Sequence, residues 1–215
     1  MIKAVLFDMD GTVFDTERIY REAWFYAADA IGFSGDMNEV MEIIFGVSET
    51  DIGKYFYRNW GEDFPYEKML SIRAERIARR IEEEGVPLKD GVPQVFERLR
   101  KKGIASALVT SAPAFRVTDF LGKSQLTDCF SLVITGDRVN RSKPAPDIFL
   151  LAAKELGLQP EECMVAEDSH NGVKAGYNAG MRVAMIPDLQ SYTREIAPYV
   201  NYPLASLAEL PDLFQ

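Results

Sequence analysis

Near its start the chain reads Ile2-Lys3-Ala4-Val5-Leu6-Phe7-Asp8-Met9-Asp10-Gly11-Thr12, an apolar run that ends in two aspartates and a glycine. Short apolar runs of this kind are typical of strands buried on both faces of a parallel sheet. Such sheets bind ligands at the carboxyl ends of their strands, and alternate residues of a strand point to the same side. We therefore expect Asp8 and Asp10 to lie together at the carboxyl ends of the strands, where a cation or a proton offsets their mutual repulsion.

Later segments repeat the strand pattern and alternate with helical patterns from about residue 90 onward. The predicted strands are residues 105–109, 132–134 (the weakest), 163–166 and 183–186. End signals indicate helices between them, such as Pro146 before one helix and Gly157 after it. This alternation predicts an α/β fold, a Rossmann-like parallel sheet flanked by helices.

Residues 15–87 have a different character, because their apolar residues follow helical spacing and form no convincing strand. One predicted stripe consists of Tyr20, Ala23, Trp24, Ala27 and Ile31, and a second of Leu70, Ala74, Ile77, Ala78 and Ile81. Shorter helices are predicted at residues 37–45 and 50–57. We therefore expect an α/β core (catalytic) domain formed by residues 1–14 and 88–215, with a helical cap domain of residues 15–87 inserted after the first strand.

Composition narrows the functional classes. A net charge of −9 gives no basic footprint for a nucleic acid. No apolar stretch is long enough to cross a bilayer, and the start lacks the features of a signal peptide. One histidine and two separated cysteines argue against a zinc cluster or a disulfide framework. We expect a cytoplasmic protein that binds neither nucleic acid nor membrane; its oligomeric state stays open, a monomer included.

Two further polar groups follow the pattern in a way that suits phosphate binding. Thr110 and Ser111 come after the second predicted strand, where a hydroxyl and backbone N–H groups at a helix start can hold an anion. Lys143 lies in a loop before a predicted helix, where its ammonium group can act as a point charge toward phosphate oxygens. Taken singly, a helix cap and a solvated lysine explain these residues equally well.

A second acidic pair, Glu167 and Asp168, follows the strand at residues 163–166. Oxygen ligands without a histidine cluster favour magnesium over zinc. The chain thus carries an ordered series of an acidic pair, Thr/Ser, Lys and another acidic pair, and coincidence explains that order poorly.

The chain resembles the haloacid dehalogenase superfamily, whose four motifs match Asp8-Met9-Asp10-Gly11-Thr12, Thr110, Lys143 in Ser-Lys-Pro, and Glu167-Asp168-Ser169. The resemblance covers essentially the whole chain. The inserted helices resemble the four-helix cap of the subgroup that contains β-phosphoglucomutase and many sugar-phosphate phosphatases.

The resemblance implies a magnesium-dependent phosphatase that acts on a small phosphorylated metabolite. Asp8 would be the nucleophile, forming an aspartyl-phosphate, and a metal ligand. Asp10 would be the general acid/base and give its backbone carbonyl to Mg²⁺. Phosphoryl binding would fall to Thr110 and Lys143, with Ser111 beside them. Among the remaining acids, Asp168 would bind the metal directly and Glu167 directly or through water.

Several activities share these motifs. Asp10 argues against a dehalogenase, because an expelled halide needs no proton. A sugar phosphomutase is the alternative. Proteins that resemble β-phosphoglucomutase carry a histidine where this chain has Tyr20. They also carry an arginine where this chain has Glu49, at the end of Gly46-Val47-Ser48-Glu49. That acid would repel a second phosphate, and Thr12 in place of valine also favours a phosphatase.

A binding or regulatory protein on the same fold is the least favoured alternative, because the set of catalytic residue types is intact. By analogy we expect a hexose or pentose phosphate as substrate, with nucleotide and cofactor phosphates left open. Cap residues that could face the substrate, each with a packing or solvated role as its simpler explanation, are Arg18, Tyr20, Glu49, Lys54, Tyr55 and Arg76.

Overall fold

The structure, a computed structural model, describes residues 1–44 and 49–214, with the side chains of residues 49 and 50 left out. The chain divides into two compact units, one formed by Met1–Thr16 and Val86–Gln215 and the other by Glu17–Gly85. The segments 46–48 and the side chain of Glu49, which bear on the mutase alternative, lie outside the described residues.

The first unit is built on a six-stranded sheet in which every neighbouring pair is parallel, in the order β3-β2-β1-β4-β5-β6. The strands are β1 Ala4–Phe7, β2 Ala105–Val109, β3 Leu132–Ile134, β4 Cys163–Glu167, β5 Arg182–Met185 and β6 Tyr202–Pro203. The predicted parallel α/β fold is confirmed. The two-residue β6 was not predicted, because it is too short to show a pattern.

The second unit is helical. Its helices are α1 Glu17–Ala30, α2 Met37–Ile44, α3 Glu49–Trp60 and α4 Tyr66–Glu84. Phe56 lies at its centre, fully buried, with the rings of Phe64 and Tyr66 stacked on it at 4.9 and 5.5 Å. Stacked aromatic rings therefore form the centre of this small core.

One predicted stripe of this unit is partly wrong. On α4, Ala74 and Ala78 are exposed, whereas Tyr66, Met69 and Ile81 are buried. The reason is Arg73, whose guanidinium lies 4.5 Å from the ring of Trp24 on α1. An arginine that stacks on an aromatic ring takes a packing position that an apolar pattern assigns to alanine.

Helices cover both faces of the sheet in the first unit. They are α5 Val92–Lys101, α6 Ala114–Ser124, α7 Asp147–Leu156 and α8 His170–Asn178. Phe7 packs against Phe96 of α5 with ring centroids 5.2 Å apart, whereas its neighbour Leu6 joins a buried cluster that includes Phe149 of α7. Alternation along β1 thus buries both of its faces. None of the described helices is long and apolar enough to span a membrane.

The two connections between the units run side by side within the first unit. Phe14 and Leu88 form an antiparallel bridge, and the N–H of Asp15 donates to the carbonyl of Pro87 at 2.9 Å. Lys89 adds ion pairs with Asp15 at 3.3 Å and with Asp188 at 2.9 Å. The bridge and the hydrogen bond thus join the two connections to each other, and Lys89 joins them to Asp188, which follows β5.

Candidate active site

The strand register brings the polar groups together. Phe7, the last residue of β1, pairs with Leu108 of β2 and with Ala166 of β4. The N–H of Asp8 then donates to the carbonyl of Ala166 at 3.0 Å. The residues that follow these three strands therefore stand at one edge of the sheet, where parallel sheets bind ligands.

An acidic group occupies this edge. Asp8, Glu167 and Asp168 each offer a carboxylate oxygen, and these oxygens all lie within 4.8 Å of one another. All three residues are buried. Buried carboxylates so close together require positive charge between or beside them.

Lys143 supplies part of that charge. Its Nζ donates to Asp8 Oδ1 at 2.5 Å, to Glu167 Oε1 at 2.7 Å and to the carbonyl of Val109 at 3.2 Å. The ammonium group also lies 4.9 Å from the ring centroid of Phe149. The Lys143–Pro144 peptide bond is cis. The three hydrogen bonds and the contact with Phe149 fix the position of the ammonium group.

The electrostatics of the pair follow from this burial. Desolvation raises the pKa of Asp8 to about 7, the attraction of Lys143 opposes that rise, and the negative charges of Glu167 and Asp10 add to it. Burial alone would lower the pKa of Lys143, but Asp8 and Glu167 reverse this and move it above its ordinary value. Lys143 therefore stays cationic, and Asp8 needs further positive charge to be fully ionised at neutral pH.

Glu167 is engaged at both oxygens. Oε1 accepts from Lys143, while Oε2 accepts from the backbone N–H of Ser169 at 3.0 Å and from its hydroxyl at 2.9 Å. Ser169 also caps α8, since its Oγ accepts from the N–H of Gly172 at 3.1 Å. A Cβ on Gly172 would lie only 1.7 Å from Glu167 Oε1. Glycine at this position is what lets α8 start against the carboxylate.

Asp168 packs closely against the turn that follows β1. Its Oδ1 accepts from the Thr12 hydroxyl at 3.4 Å. A Cβ on Gly11 would lie 2.3 Å from Asp168 Oδ2, and Gly11 has a φ of +81°. Both the left-handed backbone and the close approach thus require glycine at this position.

The side chain of Asp10 has different partners from those of the acidic group. Its Oδ1 accepts from the Thr16 hydroxyl at 2.6 Å, and its Oδ2 pairs with Arg116 of α6 at 3.0 Å. Sequence reasoning missed both partners. The available signal was position: Arg116 stands six residues after Thr110, in the first turn of a helix that starts at the same edge.

Thr110 and Ser111 lie in the loop that joins β2 to α6. Thr110 is buried and Ser111 is exposed. Thr110 Oγ1 accepts from the N–H of Ala112 at 3.0 Å, which directs the hydroxyl hydrogen to a different acceptor. Lys143 lies close by through its bond to the carbonyl of Val109. The edge therefore carries a hydroxyl and an ammonium group beside buried carboxylates.

Four of the candidates named above from residues 15–87 contact residues of the helical unit, and the side chain of Glu49 lies outside the described residues. Tyr20 is buried, with Arg73 over its ring at 5.8 Å, and Arg76 lies 4.9 Å from the ring of Tyr26. Lys54 pairs with Asp51 at 2.8 Å. Tyr55 packs edge-on against Phe56, and Arg18 is exposed.

Comparison with known proteins identifies the family. The model of the haloacid dehalogenase-like hydrolases matches residues 2–180, and the chain belongs to this family. Hexitol phosphatase A of Escherichia coli is 34% identical, covering 86% of this chain and 82% of its own length. The phosphorylated carbohydrates phosphatase of Thermotoga maritima is 32% identical, covering 84% of this chain and 82% of its own.

A solved structure supports the same assignment. CbbY from Rhodobacter sphaeroides in complex with phosphate superposes with a TM-score of 0.80 at 29% identity, covering 98% of this chain and 96% of that one. The predicted resemblance to this superfamily is confirmed, and the acidic group is a place where a divalent metal of the kind this family generally uses could bind.

Proposed function

We propose that this chain is a magnesium-dependent phosphatase that hydrolyses a sugar phosphate or a similar small phosphorylated metabolite through an aspartyl-phosphate on Asp8. The class of enzyme, a phosphoric monoester hydrolase, follows from its family and from relatives that are phosphatases. The substrate class rests on the two relatives that act on hexitol or carbohydrate phosphates.

One observation carries the proposal. Lys143 contacts both Asp8 and Glu167, and a carboxylate oxygen of Asp8 lies within 4.8 Å of one from Glu167 and one from Asp168. When ionised, Asp8, Glu167 and Asp168 together carry more negative charge than the single ammonium group of Lys143 offsets. Such a surplus of negative charge is costly in a purely structural core. It is expected where a cation and a phosphate complete the charge balance.

The residues present fit a hard divalent cation. The donors are carboxylate oxygens, with Asp8 and Asp168 proposed as direct ligands together with the backbone carbonyl of Asp10. Both oxygens of Glu167 already accept hydrogen bonds, which favours a contact through water. A bound Mg²⁺ would supply positive charge that screens Asp8 from the phosphate oxygens.

In the first chemical step, an Asp8 carboxylate oxygen attacks phosphorus, and the bond from phosphorus to the ester oxygen breaks. Asp10 donates a proton to the departing alkoxide. Lys143 and the Thr110 hydroxyl hold the phosphoryl oxygens while charge moves through them. The product of this step is an acyl phosphate on Asp8 and a free alcohol.

In the second step, Asp10 takes a proton from water, and the water oxygen attacks phosphorus. The acyl phosphate bond breaks, inorganic phosphate leaves and the Asp8 carboxylate is restored. Residues 15–87 are proposed to act as a cap domain that selects the alcohol part of the substrate, with residues 1–14 and 88–215 as the catalytic domain.

The test is phosphate release from a panel of hexitol, hexose, pentose and nucleoside phosphates, with Mg²⁺ and with a chelator. We expect turnover that needs Mg²⁺ and is lost in Asp8→Asn, while Asp8→Asn keeps the native circular dichroism spectrum. Isomerisation of glucose 1-phosphate that depends on a sugar bisphosphate, without net phosphate release, would instead identify a mutase. No turnover on any ester, or full activity of Asp8→Asn, would refute the proposal.

A further inference from the structure

The loop after β3 braces the loop that carries Thr110 and Ser111. The N–H of Gly136 donates to the carbonyl of Ala112 at 2.9 Å, and the N–H of Thr110 donates to Ile134 at 3.0 Å. These two backbone hydrogen bonds extend the β2–β3 pairing past the end of the strands. They connect the loop of residues 110–112 to the segment that follows β3.

Gly136 lies in direct contact with the backbone of Ser111. A Cβ added to Gly136 would lie 2.2 Å from the carbonyl oxygen of Ser111, 2.7 Å from its carbonyl carbon and 3.0 Å from its Cα. These are main-chain atoms, so no side-chain rotation could relieve the clash. Any larger residue at position 136 must therefore shift the backbone of Ser111 or its own backbone, which pairs with Ala112.

Asp137 lies at the far end of the same loop, where α6 begins. Its carboxylate accepts a hydrogen bond from the Thr135 hydroxyl, and the backbone N–H of Ala114, the first residue of α6, faces the same carboxylate. The Thr135 hydroxyl first, and the Ala114 N–H after it, hold the pKa of Asp137 below its ordinary value. The preceding Pro113 provides no side-chain cap for α6. Asp137 thus places a carboxylate at the start of this helix, from the loop that follows β3.

We propose that Gly136 and Asp137 are positioning residues for the phosphoryl group. They fix the loop of residues 110–112 so that the Thr110 hydroxyl and the Ser111 backbone can bind the phosphoryl oxygens. This inference rests on the proposed function, because it takes Thr110 and Ser111 as phosphate-binding groups. Neither positioning residue touches substrate: Gly136 acts through its contact with the Ser111 backbone, and Asp137 acts at the start of α6. A displacement of about 1 Å at such a group is enough to reduce catalysis by roughly a hundredfold.

The experiment compares Gly136→Ala, Asp137→Ala and Asp137→Asn. Asparagine keeps an oxygen that can accept from the Thr135 hydroxyl and face the Ala114 N–H, whereas alanine loses it. The control is Arg138→Gln, which breaks the exposed ion pair of the next residue with Glu155. The readouts are KM for the best phosphate ester, the inhibition constant of inorganic phosphate, kcat and the midpoint of thermal unfolding.

We expect Gly136→Ala and Asp137→Ala to raise both KM and the phosphate inhibition constant by about tenfold or more, Asp137→Asn to restore most of the loss, and Arg138→Gln to match the wild type. If Gly136→Ala does not fold, the Asp137 pair decides. Unchanged phosphate inhibition in a folded Gly136→Ala or Asp137→Ala would overturn the inference, and so would equal losses in Asp137→Ala and Asp137→Asn.

Thr110→Val separates this inference from the proposed function. If Thr110→Val weakens phosphate inhibition while Gly136→Ala and Asp137→Ala do not, only the positioning role fails. If Thr110→Val also leaves KM and phosphate inhibition unchanged, the phosphate-binding role assigned to Thr110 fails as well.

Discussion

Substitution of Gly172 by alanine tests how tightly α8 is fitted to the site. The new methyl group would stand 1.7 Å from Glu167 Oε1 and 1.9 Å from its carboxylate carbon, so the carboxylate must move. Moving it breaks the 2.7 Å bond to Lys143 or the bonds to Ser169. Gly172→Ala is therefore expected to damage the charge network without removing any charged group.

The magnitude follows from opposing effects. Alanine in place of glycine favours a helix by up to about 1 kcal/mol. Overpacking costs about 1–3 kcal/mol, and a lost hydrogen bond to a charged group costs about 1.5–3 kcal/mol. We expect Gly172→Ala to lower the free energy of unfolding by about 2–5 kcal/mol, and to lower kcat/KM because Lys143 loses a partner.

The matched control is Gly122→Ala in α6, where an added Cβ meets no atom within 4 Å. This variant should be as stable as the wild type or more stable, by up to about 1 kcal/mol, with unchanged activity. Urea unfolding and steady-state phosphate release measure both variants. A Gly172→Ala protein as stable and as active as Gly122→Ala would refute the packing argument.

Three further outcomes are expected. Lys143→Met should abolish turnover and destabilise the metal-free protein by about 3–5 kcal/mol, because Asp8 and Glu167 lose their buried counterion. Urea unfolding and phosphate release measure both effects, and a stable, active variant would contradict the prediction. Burial raises the pKa of Asp8 from 3.8 to about 7, so the folded protein binds more protons than the unfolded chain in this pH range. The free energy of unfolding of the metal-free wild type should therefore fall, relative to that of Asp8→Asn, as the pH rises through this range. Parallel curves of this free energy against pH for the two proteins would show that the pKa shift is absent. Asp10→Asn should lose far more activity on alkyl phosphates than on 4-nitrophenyl phosphate, because a nitrophenolate leaves without a proton; equal losses on both substrates would exclude Asp10 as the acid.

The fold was predictable because strands buried in a parallel sheet have short apolar sequences. The segments before Asp8 and Thr110 show this plainly, and the structure pairs both in one sheet. Ser169 was also predictable as a cap, since serine before a helix is a local signal. Short β6 was missed because two residues carry no periodicity.

Contacts between distant residues were not predictable in the same way. The ion pair of Arg116 with Asp10 joins residues 106 positions apart, and no local pattern indicates it. The brace that Gly136 gives to the loop of residues 110–112 likewise depends on β3 lying beside β2. On α4, Arg73 took a packing position because its partner, the ring of Trp24, belongs to another helix. Each case required the tertiary arrangement first.

The most direct measurement is identification of the phosphorylated residue. The protein is mixed with substrate and Mg²⁺, quenched within milliseconds and reduced with borohydride, which converts an aspartyl-phosphate to homoserine. Peptide mass spectrometry is expected to find homoserine at position 8 and at no other aspartate, and none in Asp8→Asn. Homoserine at a different position, or turnover with no modified residue even under single-turnover conditions, would contradict the role of Asp8.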